Sequence, residues 1–141
     1  MNDLQKIETF INEHHVLALA TLANNTPYIC SVFYAYEKHN RCFIFASDEK
    51  TQHIQNILTY PNIAANIHLE TKTIGKIQGL QISGICEKLQ EKELQKHYFK
   101  TFPYALALQP TLWKITPKQF KYTDNRLGFG KKIILDLETS D

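Results

Sequence analysis

Residues Phe43 to Asn56 read FIFASDEKTQHIQN, in which a short aromatic strand runs directly into the start of a helix. Hydroxyl, imidazole and ammonium groups crowd that junction. A helix start carries backbone N–H groups that have no intrahelical partner, and its dipole favours negative charge, so the junction suits an anion such as a phosphate. Ser47 and Thr51 can donate O–H bonds, and Lys50 and a protonated His53 can add charge. The same residues admit a plainer reading. Ser47 or Asp48 would be an N-cap, and Lys50, Gln52, His53 and Gln55 the solvated face of an ordinary helix running from about Glu49 to Tyr60. Asp48 and Glu49 favour that reading, since acids in a first turn satisfy the dipole a phosphate would use, each contributing roughly 0.3–1 kcal/mol.

Outward from this junction the chain has the character of a globular protein. Its 141 residues predict a single domain, 1–141, large enough to bury most of its surface yet small enough to gain from a dimer interface. Hydrophobic residues at 43% and charged ones at 21% match that class, and a net charge of +2 is too small to suggest a nucleic-acid surface. Cys30, Cys42 and Cys86 are odd in number and lack zinc-ligand spacing, which fits reduced thiols. With no cleavable signal and no long apolar segment, the expectation is a cytoplasmic protein that does not enter a membrane.

The hydrophobic pattern predicts a mainly β (α+β) fold. Leu4, Ile7, Phe10 and Ile11 recur at helical spacing behind Asp3 as N-cap. From Val16 to Ala46 three strands follow, separated by the polar turns Asn24-Asn25-Thr26 and Lys38-His39-Asn40. In the middle strand Tyr28, Cys30, Val32, Tyr34 and Tyr36 share one face and Ile29, Ser31, Phe33 and Ala35 the other. Both faces therefore carry apolar groups, as in a barrel wall packed inside on a core and outside on helices or a partner. After Pro61, strands are expected at Ile63 to Leu69 and Thr73 to Leu89, with Gly75, Gly79 and Gly84 placed for bulges or bends. A charged amphipathic helix, Glu91 to Phe102, precedes the last strands, Lys114 to Tyr122 and Lys131 to Leu137. Gly128 and Gly130 let the chain turn sharply around Phe129, whose ring would either cover a pocket or tuck into the core.

Other chemistry finds no support in the sequence. His14 and His15 are adjacent and lack a spaced third ligand, so no metal site is expected. No GxGxxG, Walker A or GxSxG pattern occurs, and no nucleophilic triad can be nominated.

The helix start, together with TKTIGKIQGLQISG at Thr71 to Gly84 and TDNRLGFGKK at Thr123 to Lys132, resembles the YhbP-like proteins. That family is in turn similar to the pyridoxamine 5′-phosphate oxidase-like FMN-binding split barrels. The likeness spans nearly the whole chain, from HHVLALATL at His14 to Leu22 through Trp113 to the last strand. It implies an FMN-binding split β-barrel with short flanking helices, a homodimer with the cofactor at the interface, and a flavin-dependent oxidoreductase acting on a small molecule.

The resemblance also implies site residues. The hydroxyl, Arg-or-small and Lys positions that hold the flavin phosphate fall on Thr51, Gln52 and His53, beside Ala46, Ser47 and Lys50. Gln52 stands where YhbP-like relatives commonly carry Arg, and losing one charge-assisted bond costs about 1.5–3 kcal/mol. Ser31, Val32 and Phe33 match the strand along the isoalloxazine ring. Lys72, Thr73 and Gln81 lie on or beside the strand that approaches the cofactor from the interface. Trp113, Asp124, Asn125 and Lys131 belong to the family-specific tail, where Asp124 and Asn125 are either pocket residues or turn formers. The basic pair that true pyridoxamine phosphate oxidases carry on the ring-contacting strand is absent, with Ser31 and Tyr34 in that region, which argues against vitamin B6 oxidation. The alternative implied by the same likeness is a non-catalytic barrel dimer that stores or senses flavin or haem.

Overall fold

The computed structural model describes residues 1–137; positions 138–141 of the expected domain lie outside the described residues. Its first helix, α1 (Asp3–Glu13), is capped by Asn2 and not by Asp3. The Asn2 side chain accepts from Gln5 N at 2.8 Å while Gln5 Oε1 accepts from Asn2 N at 3.0 Å, a reciprocal capping box that leaves Asp3 in the first turn. Ile7, Phe10 and Ile11 are buried, and the buried Glu8 accepts the Tyr36 hydroxyl at 2.7 Å.

The strands are β1 (Val16–Ala23), β2 (Thr26–Phe33), β3 (Ala35–Glu37), β4 (Cys42–Ala46), β5 (Asn62–His68), β6 (Gln78–Lys88), β7 (Leu112–Asp124) and β8 (Lys132–Asp136). Two further helices, α2 (Gln52–Thr59) and α3 (Lys92–Thr101), interrupt them. All pairings are antiparallel, in the order β2-β1-β5-β6-β7-β4-β3, with β8 beside β7. The two ends of that order, β2 and β3, are consecutive in the chain. The strand expected to run unbroken from Tyr28 to Tyr36 changes partner at Tyr34, pairing with β1 through Phe33 and with β4 from Ala35. Tyr34 fixes the switch: its N–H donates to His15 O at 3.0 Å and its hydroxyl to Ile11 O at 2.7 Å. The sheet thus curls back on itself as a split barrel.

Alternation then decides what each face meets. Val32, Tyr34 and Tyr36 point into the core with Phe43, Phe45, Trp113 and Phe120. Ala35 faces outward but is covered by Leu94 and Tyr98 of α3. Ile29 and Phe33, on the outward face of β2, are 68% and 59% exposed.

Two expectations about β6 change. The strand begins at Gln78, because Ile74–Lys76 forms a 3₁₀ turn with Gly75 inside it. Of the three glycines, Gly84 is the one at a distortion: the β6–β7 register slips between Ser83 and Gly84. A Cβ there would lie 2.4 Å from Thr116 O and 2.9 Å from Pro117 Cα, so the backbones meet where only glycine fits. Beyond β7, Asn125–Leu127 makes a second 3₁₀ turn, and Gly128 and Gly130 hold φ of 145° and 72°. Phe129 between them is 84% exposed, so it does not tuck into the core. Among the described residues no helix is long and apolar enough to cross a membrane.

Candidate functional site

The junction after β4 differs from both sequence readings in where its helix begins. Asp48 takes Lys50 N on its carboxylate at 2.7 Å, and its carbonyl accepts Thr51 N at 3.1 Å and Thr51 Oγ1 at 2.8 Å. These bonds close a turn, so α2 starts only at Gln52 with Thr51 as N-cap; neither Ser47 nor Asp48 caps it. Asp48 and Glu49 consequently lie outside the first turn and do not complement its dipole, and Glu49 pairs with Lys88 at 2.9 Å. Because the Thr51 hydroxyl is turned back onto Asp48, no side chain caps the helix. The backbone N–H groups of its first turn are left to an external acceptor.

Ser47, Thr51 and His53 converge at this uncapped start. Ser47 Oγ is 2.5 Å from His53 Nε2, and Thr51 Oγ1 is 3.4 Å from the same nitrogen. Ser47 itself is held by its N–H on Thr111 O at 3.0 Å and by Trp113 Nε1, which donates to its carbonyl at 2.9 Å. The buried Trp113 therefore spends its indole N–H on positioning Ser47. Ala46, the last residue of β4, pairs with Leu112 beside it. Burial pushes the His53 imidazole below its ordinary value of 6.5. At neutral pH it is uncharged, and the protonated form expected from the sequence is not its resting state. Lys50 is exposed on the preceding turn.

Gln52 is exposed, but its side-chain amide lies 2.7 Å from that of Asn56, which in turn lies 3.0 Å from Thr21 Oγ1. Asn56 and Thr21 are 4% and 3% exposed, so a polar chain runs from the interior to the helix start. On β2, which passes beside α2 and β4, Ser31 and Phe33 face outward while Val32 points into the core. Val32 can offer a ligand only its backbone. Phe33 stacks on His15, with ring centres 5.7 Å apart and planes at 4°.

The remaining residues implied by the resemblance lie elsewhere on the chain. Lys72 and Thr73 are exposed in the β5–β6 connection, where Thr73 N donates to Thr71 Oγ1 at 3.1 Å. Gln81 is exposed on β6 between Asn66 and Lys121. Asp124 is buried and grips Arg126 with both oxygens, at 3.0 Å to Nε and 2.8 Å to Nη2. The bond from Arg126 holds its carboxyl below the usual range, so it is an ionised, paired group beside a cleft of about 220 Å³ that Lys6 and Tyr122 also line. Asn125 acts as a turn staple: its Nδ2 donates to Ile74 O at 2.9 Å, its N–H to Ile77 O at 2.9 Å, and its Oδ1 accepts Gly130 N at 3.1 Å. Lys131 is exposed in the same turn. Trp113 and Asp124 stand at opposite ends of β7, separated by roughly 35 Å of extended chain. One chain therefore gathers Ala46, Ser47, Thr51, Gln52 and His53, with Trp113 behind them, and keeps the tail residues apart.

Sequence reasoning missed Thr21, Asn56 and Arg126. Arg126 had a local signal, two residues from Asp124 in the TDNR run. Thr21 had none, being 35 residues from Asn56.

The family model described as pyridoxamine 5′-phosphate oxidase matches residues 4–124. A UPF0306 protein of Enterobacter sp. (strain 638) is 32% identical over 136 residues, covering 94% of this chain and 96% of its own. The UPF0306 protein YhbP of Escherichia coli O157:H7 is 31% identical over 137 residues, covering 95% and 93%. Among solved structures, a heme binding protein from Mycobacterium smegmatis superposes with a TM-score of 0.80 at 14% identity, over 96% of this chain and 58% of the other. A FAD-binding protein from Mesorhizobium loti does so with a TM-score of 0.70 at 14% identity, over 84% and 90%. With the curled antiparallel sheet and the matched span in agreement, the chain belongs to the pyridoxamine 5′-phosphate oxidase family, alongside the UPF0306 proteins.

Proposed function

We propose that this protein is a cytoplasmic homodimer that binds FMN and serves as a flavin-dependent oxidoreductase for a small molecule. The observation that carries the reading is the uncapped first turn of α2, on which the Ser47 and Thr51 hydroxyls and the His53 imidazole converge. Free N–H groups at a helix start fit a phosphate ester, with Ser47 and His53 beside them and the Thr51 hydroxyl able to join once it rotates from Asp48 O onto the ligand. Bound flavin would supply the redox chemistry, and the protein would bind, orient and shield it. In this arrangement Ser47, Thr51 and His53 hold the phosphate while the β2 backbone at Ser31 to Phe33 lies along the ring. No side-chain acid or base is required, and vitamin B6 oxidation is not part of the proposal.

Support for the dimer comes from β2. One of its edges pairs with β1, and on its outward face Ile29 stays 68% exposed and Phe33 59% exposed even with His15 stacked on it. Such a surface is what a second copy would bury. Support for a cytoplasmic location is the set of three free cysteines. The FAD-binding and heme binding proteins of the same fold keep a second reading in view, a barrel that holds a planar ligand without turnover.

Titration with FMN and with riboflavin, which shares the ring and lacks the phosphate, tests the site. FMN is expected to bind more tightly, and Thr51→Ala combined with His53→Ala to erase most of that preference at unchanged riboflavin affinity. Equal affinities in the unmodified protein would reduce the helix start to a structural element. A flavin spectrum bleached by NADH or NADPH supports the oxidoreductase, and flavin that neither donor reduces supports the non-catalytic barrel. Light scattering that returns a monomer mass at micromolar protein would remove the dimer.

A further inference from the structure

We propose that Thr21 and Asn56 are positioning residues that turn the Gln52 amide outward, so that it donates to the ligand phosphate in place of a cationic side chain. The inference rests on the FMN reading above and concerns how this chain meets it without an arginine.

The two contacts can be assigned in two directions. With Gln52 Nε2 donating to Asn56 Oδ1 and Asn56 Nδ2 donating to Thr21 Oγ1, the Thr21 hydroxyl only accepts. Its own hydrogen is then left in a position 3% exposed, where Asn56 is its one side-chain partner among the described residues. A buried O–H without an acceptor is costly. Turning both amides end for end keeps the 2.7 Å and 3.0 Å separations and removes that defect. Thr21 then donates to the Asn56 carbonyl oxygen, and Asn56 donates to the Gln52 carbonyl oxygen. The Gln52 NH₂ is then freed from Asn56, on an exposed residue in the first turn of α2.

That direction also suits the electrostatics. The first turn of α2 already presents N–H groups, and an outward carbonyl oxygen at Gln52 would oppose an anion there, whereas an outward NH₂ adds donors of the same sense. Thr21 sits on β1 opposite Tyr28, and Asn56 is one turn into α2, so the anchor belongs to the barrel wall and is rigid. Pre-organising a neutral amide in this way compensates in part for the missing charge.

The test compares FMN with riboflavin for four proteins: unmodified, Thr21→Val, Thr21→Ser and Gln52→Glu. Thr21→Val keeps the side-chain shape and removes the donor. It is expected to lower the FMN-to-riboflavin affinity ratio about 2- to 12-fold, the range of one neutral hydrogen bond, with riboflavin affinity unchanged. Thr21→Ser restores the donor and should restore the ratio. Gln52→Glu keeps an acceptor for the Asn56 NH₂, replaces outward donors by a carboxylate and should lower the ratio at least tenfold. A preference for FMN that survives Thr21→Val or Gln52→Glu unchanged overturns the relay and leaves the phosphate site standing. An unmodified protein that does not distinguish FMN from riboflavin overturns both.

Discussion

Gln52→Arg puts the site and its supporting bonds in opposition, and the structure gives a magnitude for each. An arginine at the start of α2 can donate a charge-assisted bond to a phosphate, worth about 1.5–3 kcal/mol when well formed. Residue 52 is exposed, so solvent screens the pair, and the lower part of that range applies, about tenfold in FMN affinity. The same change removes the 2.7 Å contact with Asn56. Asn56 is 4% exposed and would keep only Thr21, so the folded protein without ligand should lose about 1–3 kcal/mol. For a chain of this size that is a fall in Tm of about 3 °C per kcal/mol. The assay is paired: thermal melts without ligand, and FMN and riboflavin titrations at low and high salt. The expected result is a less stable protein that binds FMN about tenfold more tightly at low salt, less so at high salt, with riboflavin unchanged. A rise in affinity for both ligands would place residue 52 against the ring and refute the phosphate assignment, and an unchanged Tm would refute the bonded role of Gln52.

Two further outcomes follow from the geometry. Burial holds His53 below 6.5, so the unfolded chain takes up that proton first, and the His53 contribution to stability should decline as pH falls through 6.5 toward the folded value. A phosphate beside the ring favours imidazolium, so FMN binding should take up a proton. The FMN-to-riboflavin ratio should rise between about pH 8 and pH 6, above the second phosphate pKa, and stay flat in His53→Gln; a flat ratio in the unmodified protein would remove His53 from the site. Gly84→Ala sets a Cβ 2.4 Å from Thr116 O, a backbone atom that cannot swing aside, and should cost about 1–3 kcal/mol with the flavin spectrum unaltered; a Tm within a degree of the unmodified protein would show that the β6–β7 slip absorbs the methyl.

The order of helices and strands was legible because each segment carries its own period. What the sequence concealed were choices settled by single hydrogen bonds. Asp3 and Asn2 are both good N-caps, and Gln5, able to reach back to Asn2 N, decides between them. Ser47, Asp48 and Thr51 likewise compete to cap α2, and the bonds from Lys50 N and Thr51 Oγ1 to Asp48 settle its start at Gln52, three residues beyond Glu49. The Tyr28 to Tyr36 run alternates without interruption, yet the strand must change partners at Tyr34 for the sheet to close, a requirement that no local pattern expresses. Trp113 illustrates the limit for site residues. Its place in the family-like tail suggested ligand contact, while its N–H is committed to Ser47 O, 66 residues away.

The register of the sheet relates the separated site residues. Thr21, the anchor of Asn56, pairs with Tyr28, and three residues along β2 Ser31 pairs with Ala18. Two residues further, Phe33 pairs with Val16 at the exposed end, and continuing the Ala18–Asn66 register sets Val16 beside His68. From His68 the same row crosses to Gly79, Thr123 and Lys132, next to the turn that Asn125 staples. Thr21 to Val16 is five residues of strand, roughly 17 Å. A ligand with its anion on the α2 start and its planar part along Ser31 would therefore extend toward Phe33 and the row that ends at the tail. Along this path lie backbone, aromatic surface, hydroxyls, imidazoles and Lys132, while two of the nearby acids are already paired, Asp124 with Arg126 and Glu49 with Lys88. Such a lining binds and orients, which is the division of labour expected when the chemistry resides in a bound redox group.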